Sequence, residues 1–100
     1  MPRVKSHGSC IDVWISARDT QRWARRWPCS DLAGKRLYAH YDTHGLLDLK
    51  VNGYYPRTEI DANEFNALMC DVLKAWGKRD EIDDMIWFIV VGQFEGLHDG

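Results

Sequence analysis

The chain has 100 residues, 45% of them hydrophobic and 28% charged, with a formal net charge of −2. A chain of this length supplies one domain with one modest core, and its composition excludes a disordered tail or a membrane protein. The near-neutral charge balance also excludes whole-chain attraction to nucleic acid as the main function.

Residues 1–9 are small and polar and are expected to form a loose tail. No apolar run follows Arg3 and Lys5, so no secretory signal is expected there. In Cys10–Ile15 the aliphatics Ile11, Val13 and Ile15 alternate with Asp12 and Trp14, the mark of a half-buried strand. Ser16-Ala17-Arg18-Asp19 then predicts a helix start, with Ser16 as the cap and Asp19 suited to the positive end. The helix is expected to run to about Trp27, with Thr20, Trp23, Ala24 and Trp27 on one face. Pro28 forces its end.

A β-hairpin follows. Leu37, Ala39 and Tyr41 alternate with polar neighbours, as do Leu47, Leu49 and Val51, and Asp42-Thr43-His44-Gly45 has the chemistry of a tight turn. Asn52-Gly53 marks a further turn, and Pro56 makes any strand through Tyr54-Tyr55 an edge at best. Asp61-Ala62-Asn63-Glu64 reads as a capping box for a second helix. Phe65, Leu68, Met69, Val72, Leu73 and Trp76 form its apolar stripe, and Gly77 ends it. Phe65, Leu68, Val72 and Trp76 are expected to bury against Ile11, Val13, Ile15, Leu37, Leu49 and Val51. Met85 to Val91 is short, apolar and β-branched, which predicts a strand buried on both faces. Residues 93–100 are expected to be a second loose tail.

The expected order is β-α-β-β-α-β, an α+β fold with an antiparallel sheet and two helices on one face, the ferredoxin-like arrangement. The last strand would then lie at an edge with Trp87, Ile89 and Val91 in water, so either a homodimer through Met85–Val91 covers it or the run is a central strand in a different order.

Several segments also carry a resemblance: Ser16-Ala17-Arg18-Asp19-Thr20, Trp23-Ala24, and Trp27-Pro28-Cys29-Ser30-Asp31-Leu32-Ala33-Gly34. With Tyr41-Asp42, Gly45-Leu46-Leu47-Asp48-Leu49 and Val51-Asn52-Gly53, the chain resembles a group of short uncharacterised proteins carried on proteobacterial plasmids and integrating genomic islands. The resemblance spans roughly residues 11–73. It implies a home on mobile DNA and no particular activity. The Met85–Val91 run and the residues after it match nothing in that group.

Three cysteines, Cys10, Cys29 and Cys70, form an odd set without a C-x-x-C pair, which points to free thiols in a reducing cytoplasm. The longest apolar run is far too short to cross a membrane.

Five features of the sequence are candidate sites. Segment 17–36 holds six basic residues (Arg18, Arg22, Arg25, Arg26, Lys35, Arg36) against two acidic ones, a net of +4. From Thr58 to Gly100 three basic residues face ten acidic ones, a net of −7. The basic cluster is the basis for a nucleic-acid-binding alternative; the plainer reading is a solvated helix face. Cys29 is a nucleophile only if His40 or His44 reaches it, and an ordinary loop residue otherwise. No structural-zinc spacing links His7, His40, His44 or His98 to the cysteines, so no metal or other cofactor is expected. Asp80, Glu81, Asp83 and Asp84 read as a solvated connection, and Gly92-x-x-x-Gly96 lacks the lysine of a phosphate loop. The aromatic load is the strongest feature: Trp14, Tyr38, Tyr54, Tyr55 and Trp87 are expected to form a surface that binds a protein partner. Taken together these readings predict a small non-enzymatic binding protein.

Overall fold

The computed structural model describes residues 2–27, 30–57 and 59–94. Its elements are β1 (Arg3–Ser6), β2 (Cys10–Ile15), α1 (Ala17–Trp23), β3 (Leu37–Asp42), β4 (Gly45–Val51), α2 (Ala62–Trp76) and α3 (Asp84–Trp87). A 3-10 turn, Arg79–Glu81, leads into α3, which continues as a π-helical turn over Phe88–Gly92. The class is α+β, a four-stranded antiparallel sheet with three helices, and the strands follow one another in the order β1-β2-β3-β4.

This is a meander, so the β-α-β-β-α-β order of a ferredoxin-like fold does not describe it. Two segments account for the difference. The expected tail over residues 1–9 instead contains β1, which pairs with β2 so that Val4 lies opposite Val13. Val4 packs against the core while Arg3 and Lys5 are exposed, an alternation that a single aliphatic residue made easy to miss. Gly8, at φ +85°, lets the chain turn between the two strands. Of the second expected tail, Gln93 and Phe94 are helical, and residues 95–100 lie outside the described residues.

The other segment is Met85–Val91, which is helical where a strand was expected. Asp83 caps α3, its carboxylate accepting from the Met85 amide at 2.8 Å. Ile82, Ile86 and Val90 recur at steps of four and are 4%, 0% and 4% exposed. The π turn adds a residue to the helical repeat, so adjacent Val90 and Val91 both reach the core. Met85 and Phe88 remain exposed. A dimer built on an exposed C-terminal strand edge therefore has no strand to use.

The remaining elements form where the residues led. Ser16 caps α1 by accepting from the Asp19 amide at 3.1 Å. The helix stops at Trp23, four residues before Trp27, because three-residue bonds from Arg25, Arg26 and Trp27 tighten the chain into turns. In the hairpin, Asp42 accepts from the His44 amide at 2.7 Å and Gly45 takes φ +129°. A bulge between His40 and Tyr41 pushes Leu47 into solvent. Asp61 accepts from Asn63 and Glu64 to start α2, and Gly77 ends it in the left-handed conformation. Glu64 does not complete a capping box. Its buried Oε1 accepts from the Ser30 hydroxyl and the Leu32 amide, fastening the loop after α1 to α2.

One core results. Ile11, Val13, Ile15, Leu37, Ala39 and Tyr41 line the inner face of the sheet and join Phe65, Leu68, Met69, Val72 and Leu73 of α2. Leu49, Val51 and Trp76 pack at its margin, only partly buried. Trp23 comes from α1 and donates from Nε1 to Asp71 on α2 at 3.0 Å, while Thr20 donates to the Lys35 carbonyl at 2.8 Å. Among the described residues, no helix is long and apolar enough to cross a membrane.

Candidate functional site

The inner face of the sheet is fully used by the core, which leaves the outward set of side chains as the surface with chemistry to offer. Strand register arranges most of that set in two rows that cross all four strands. Arg3 lies opposite Trp14, Trp14 opposite Tyr38, and Tyr38 opposite Lys50, so one row crosses all four strands. The next row runs Lys5, Asp12, His40, Asp48.

Asp12 organises the second row. Its Oδ1 accepts from the Tyr38 hydroxyl at 2.6 Å and lies 2.7 Å from His40 Nδ1, while its Oδ2 lies 2.8 Å from His7 Nε2 on the β1–β2 turn. Burial alone would raise the Asp12 carboxyl, but the hydrogen bonds from Tyr38, His40 and His7 and the charge of His40 outweigh it and hold it below its ordinary range. The same bond to Asp12, with some desolvation, pushes the Tyr38 hydroxyl up to about 12. Tyr41, on the inner face, is raised by burial. At neutral pH the first shift keeps the Asp12 carboxyl charged and the second keeps the Tyr38 phenol protonated. The cluster fixes side chains in place.

What it fixes is the first row. Trp14 and Tyr38 meet with ring centroids 5.6 Å apart, and the Arg3 guanidinium lies over the Trp14 ring at 4.2 Å. Lys50 lies 5.5 Å over the Tyr55 ring. A broad trough of about 770 Å³ opens along this row, with Arg3, Arg36 and Lys50 on its walls and Asp48 as its acid. A second cavity of about 430 Å³ forms where the loop after α1 meets the segment between β4 and α2, lined in part by Leu32, Tyr54, Tyr55, Arg57 and Glu64.

The five aromatic residues singled out from the sequence are thus divided. Trp14 and Tyr38 stand side by side on the outer face, and Tyr54 and Tyr55 are exposed beyond the Asn52-Gly53 turn. Trp87 is elsewhere, half-buried against the core with the Arg79 guanidinium 4.8 Å over its ring. The basic residues are dispersed as well. Arg18 and Arg22 are exposed on α1, Arg25 and Arg26 on the turns after it, Lys35 borders the second cavity, and Arg36 borders the trough.

Cys29 lies outside the described residues, as does His98. His40 is engaged with Asp12, and His44 is exposed on the hairpin turn. Cys10 is half-buried and Cys70 buried. Among the described residues no group of three or more His, Cys, Asp or Glu side chains converges on a metal position. The acidic stretch has structural work: Asp83 caps α3, Asp84 pairs with Arg79 at 2.7 Å, and Glu81 lies 3.9 Å from Lys78.

Sequence reasoning missed the Asp12 cluster and the Arg3–Lys50 row. Their signal was present as the outward half of each alternating strand, but a row across strands is visible only once the register is known. Comparison with family models, curated proteins and solved structures returns no match.

Proposed function

We propose that this chain is a small non-enzymatic binding protein that meets a protein partner through the outer face of its sheet. The single observation that carries this reading is the Trp14–Tyr38 pair on the outer face of the sheet, with the Tyr38 hydroxyl bonded to Asp12 and the Arg3 guanidinium over the Trp14 ring. Preordered aromatic side chains flanked by arginine are the residue types that anchor protein interfaces, because little side-chain entropy is lost when a partner covers them. The resemblance to short proteins of plasmids and genomic islands supports an accessory role on a mobile element, and the odd cysteine set supports action in the cytoplasm. The test is affinity capture from the native host. Trp14→Ala, with folding verified by circular dichroism, is expected to lose the partner that the wild-type chain retains. Equal capture by both proteins would refute the proposal.

A second reading, nucleic-acid binding, is favoured by Arg18, Arg22, Arg25 and Arg26. All four are exposed, and no carboxylate among the described residues pairs with them. On that reading, affinity for a duplex or single strand falls with salt by about one log–log unit per phosphate contact, and alanine at Arg18, Arg22 and Arg25 flattens the slope. No binding at low salt removes it.

A further inference from the structure

The geometry points to an acidic peptide segment of the partner as the occupant of the outer-face trough, its two carboxylates bound at the Arg3 and Lys50 ends and its apolar centre on Trp14 and Tyr38. This rests on the protein-binding reading above and specifies the chemistry of the partner.

Three features of the face support it. The first is charge. The trough presents Arg3, Arg36 and Lys50 against Asp48 alone. The other outward acids are already committed: Asp12 accepts from Tyr38 and pairs with His40 and His7, and Asp42 holds the hairpin turn. Arg3 and Lys50 therefore place a cation at each end of one row, and Arg36 adds a third on the wall of the trough. A ligand that neutralises it gains, and an approaching acidic chain is steered to it.

The second is spacing. Arg3, Trp14, Tyr38 and Lys50 occupy successive strands, so the row spans three strand gaps, about 14 Å at the usual strand separation. An extended peptide advances about 3.4 Å per residue, so acids four positions apart span the same distance, about 14 Å. The three residues between them would cross the two rings, which calls for at least one apolar side chain there.

The third is the state of the rings. Arg3 already lies over Trp14, and Lys50 over Tyr55. Single-stranded nucleic acid binds such platforms by stacking bases on open ring faces. Here Arg3 already covers one face of Trp14, and a guanidinium stacked on a ring still presents its N–H edge to a carboxylate. The arrangement favours a carboxylate ligand over a base.

The probe is a fluorescein-labelled peptide containing Glu-Leu-Phe-Leu-Glu, followed by fluorescence polarisation with the full chain at low salt. The control peptide replaces both glutamates by glutamine. The expected result is at least tenfold tighter binding of the glutamate peptide, weakened about tenfold by Arg3→Glu and by Lys50→Glu and unchanged by Arg22→Ala on α1. Lys50→Gln, which removes the charge with less disturbance, is expected to weaken binding several-fold. Equal affinity for the two peptides, or full affinity in the Arg3→Glu/Lys50→Glu double variant, overturns the inference, as does tighter binding of an oligothymidylate than of the glutamate peptide. Failure here is distinguishable from failure of the protein-binding reading. If Trp14→Ala loses the native partner while the wild-type chain ignores the glutamate peptide, only the acidic chemistry falls. If Trp14→Ala keeps the partner, both fall.

Discussion

Replacing Asp12 by alanine removes the acceptor shared by Tyr38, His40 and His7, and its effect can be worked from the geometry. A hydrogen bond to a charged, buried acceptor contributes about 1.5–3 kcal/mol, but less where water can replace it. The Asp12 side chain is 14% exposed, whereas His40 and His7 are 26% and 37% exposed. The two imidazoles can turn to solvent and are discounted to about 0.5 kcal/mol each; with about 1 kcal/mol for the Tyr38 bond, the total loss is about 2 kcal/mol. Urea unfolding at pH 7 reads this as a midpoint lowered by about 1–2 M for a small domain, with the slope unchanged. The pH dependence gives an independent check. The folded Asp12 carboxyl sits below its ordinary 3.8, so its contribution is complete above that value and is lost as the pH falls through the folded one. The stability gap between wild type and Asp12→Ala is therefore expected to close in acid. A loss under about 0.5 kcal/mol at pH 7, the scale of ordinary surface substitutions, would refute the account, as would a gap of undiminished size at low pH.

Three further outcomes follow from the same structure. The Tyr38 hydroxyl is raised from 10.0 to about 12, so its bonded form stabilises the fold fully below pH 10 and the contribution is lost as pH rises between those values; tyrosinate absorbance should show this late titration, and Asp12→Asn should bring it closer to the ordinary value. Leu68 is 2% exposed in the middle of α2, and Leu68→Ala is expected to cost about 2–5 kcal/mol in urea unfolding through lost burial and a residual cavity. Ile86 and Phe88 separate helix from strand at the C-terminal end: in a strand both would share a face, but here Ile86 is 0% and Phe88 55% exposed, so Ile86→Ala should cost about 2–5 kcal/mol and Phe88→Lys no more than about 0.5 kcal/mol.

The sequence alone determined those features whose physics is local. The β3–β4 hairpin follows from alternation on either side of a four-residue turn, and α2 from a cap, a stripe and a terminal glycine. Each signal lies within a few residues of the structure it specifies. What needed tertiary structure was every feature in which distant segments choose. Met85–Val91 is apolar at nearly every position and carries no period of its own, so the surface of α2 decides that Ile86, Val90 and Val91 turn inward along a helix. Glu64 was expected to cap its own helix and is taken instead by Ser30 and Leu32, donors more than thirty residues away in the chain. The outer face shows the same division. Alternation showed that Trp14 and Tyr38 point outward, but only the pairing of β1 with β2 and of β3 with β4 brings Arg3 and Lys50 into line with them. Side-chain period is encoded residue by residue, whereas register is a property of two strands at once.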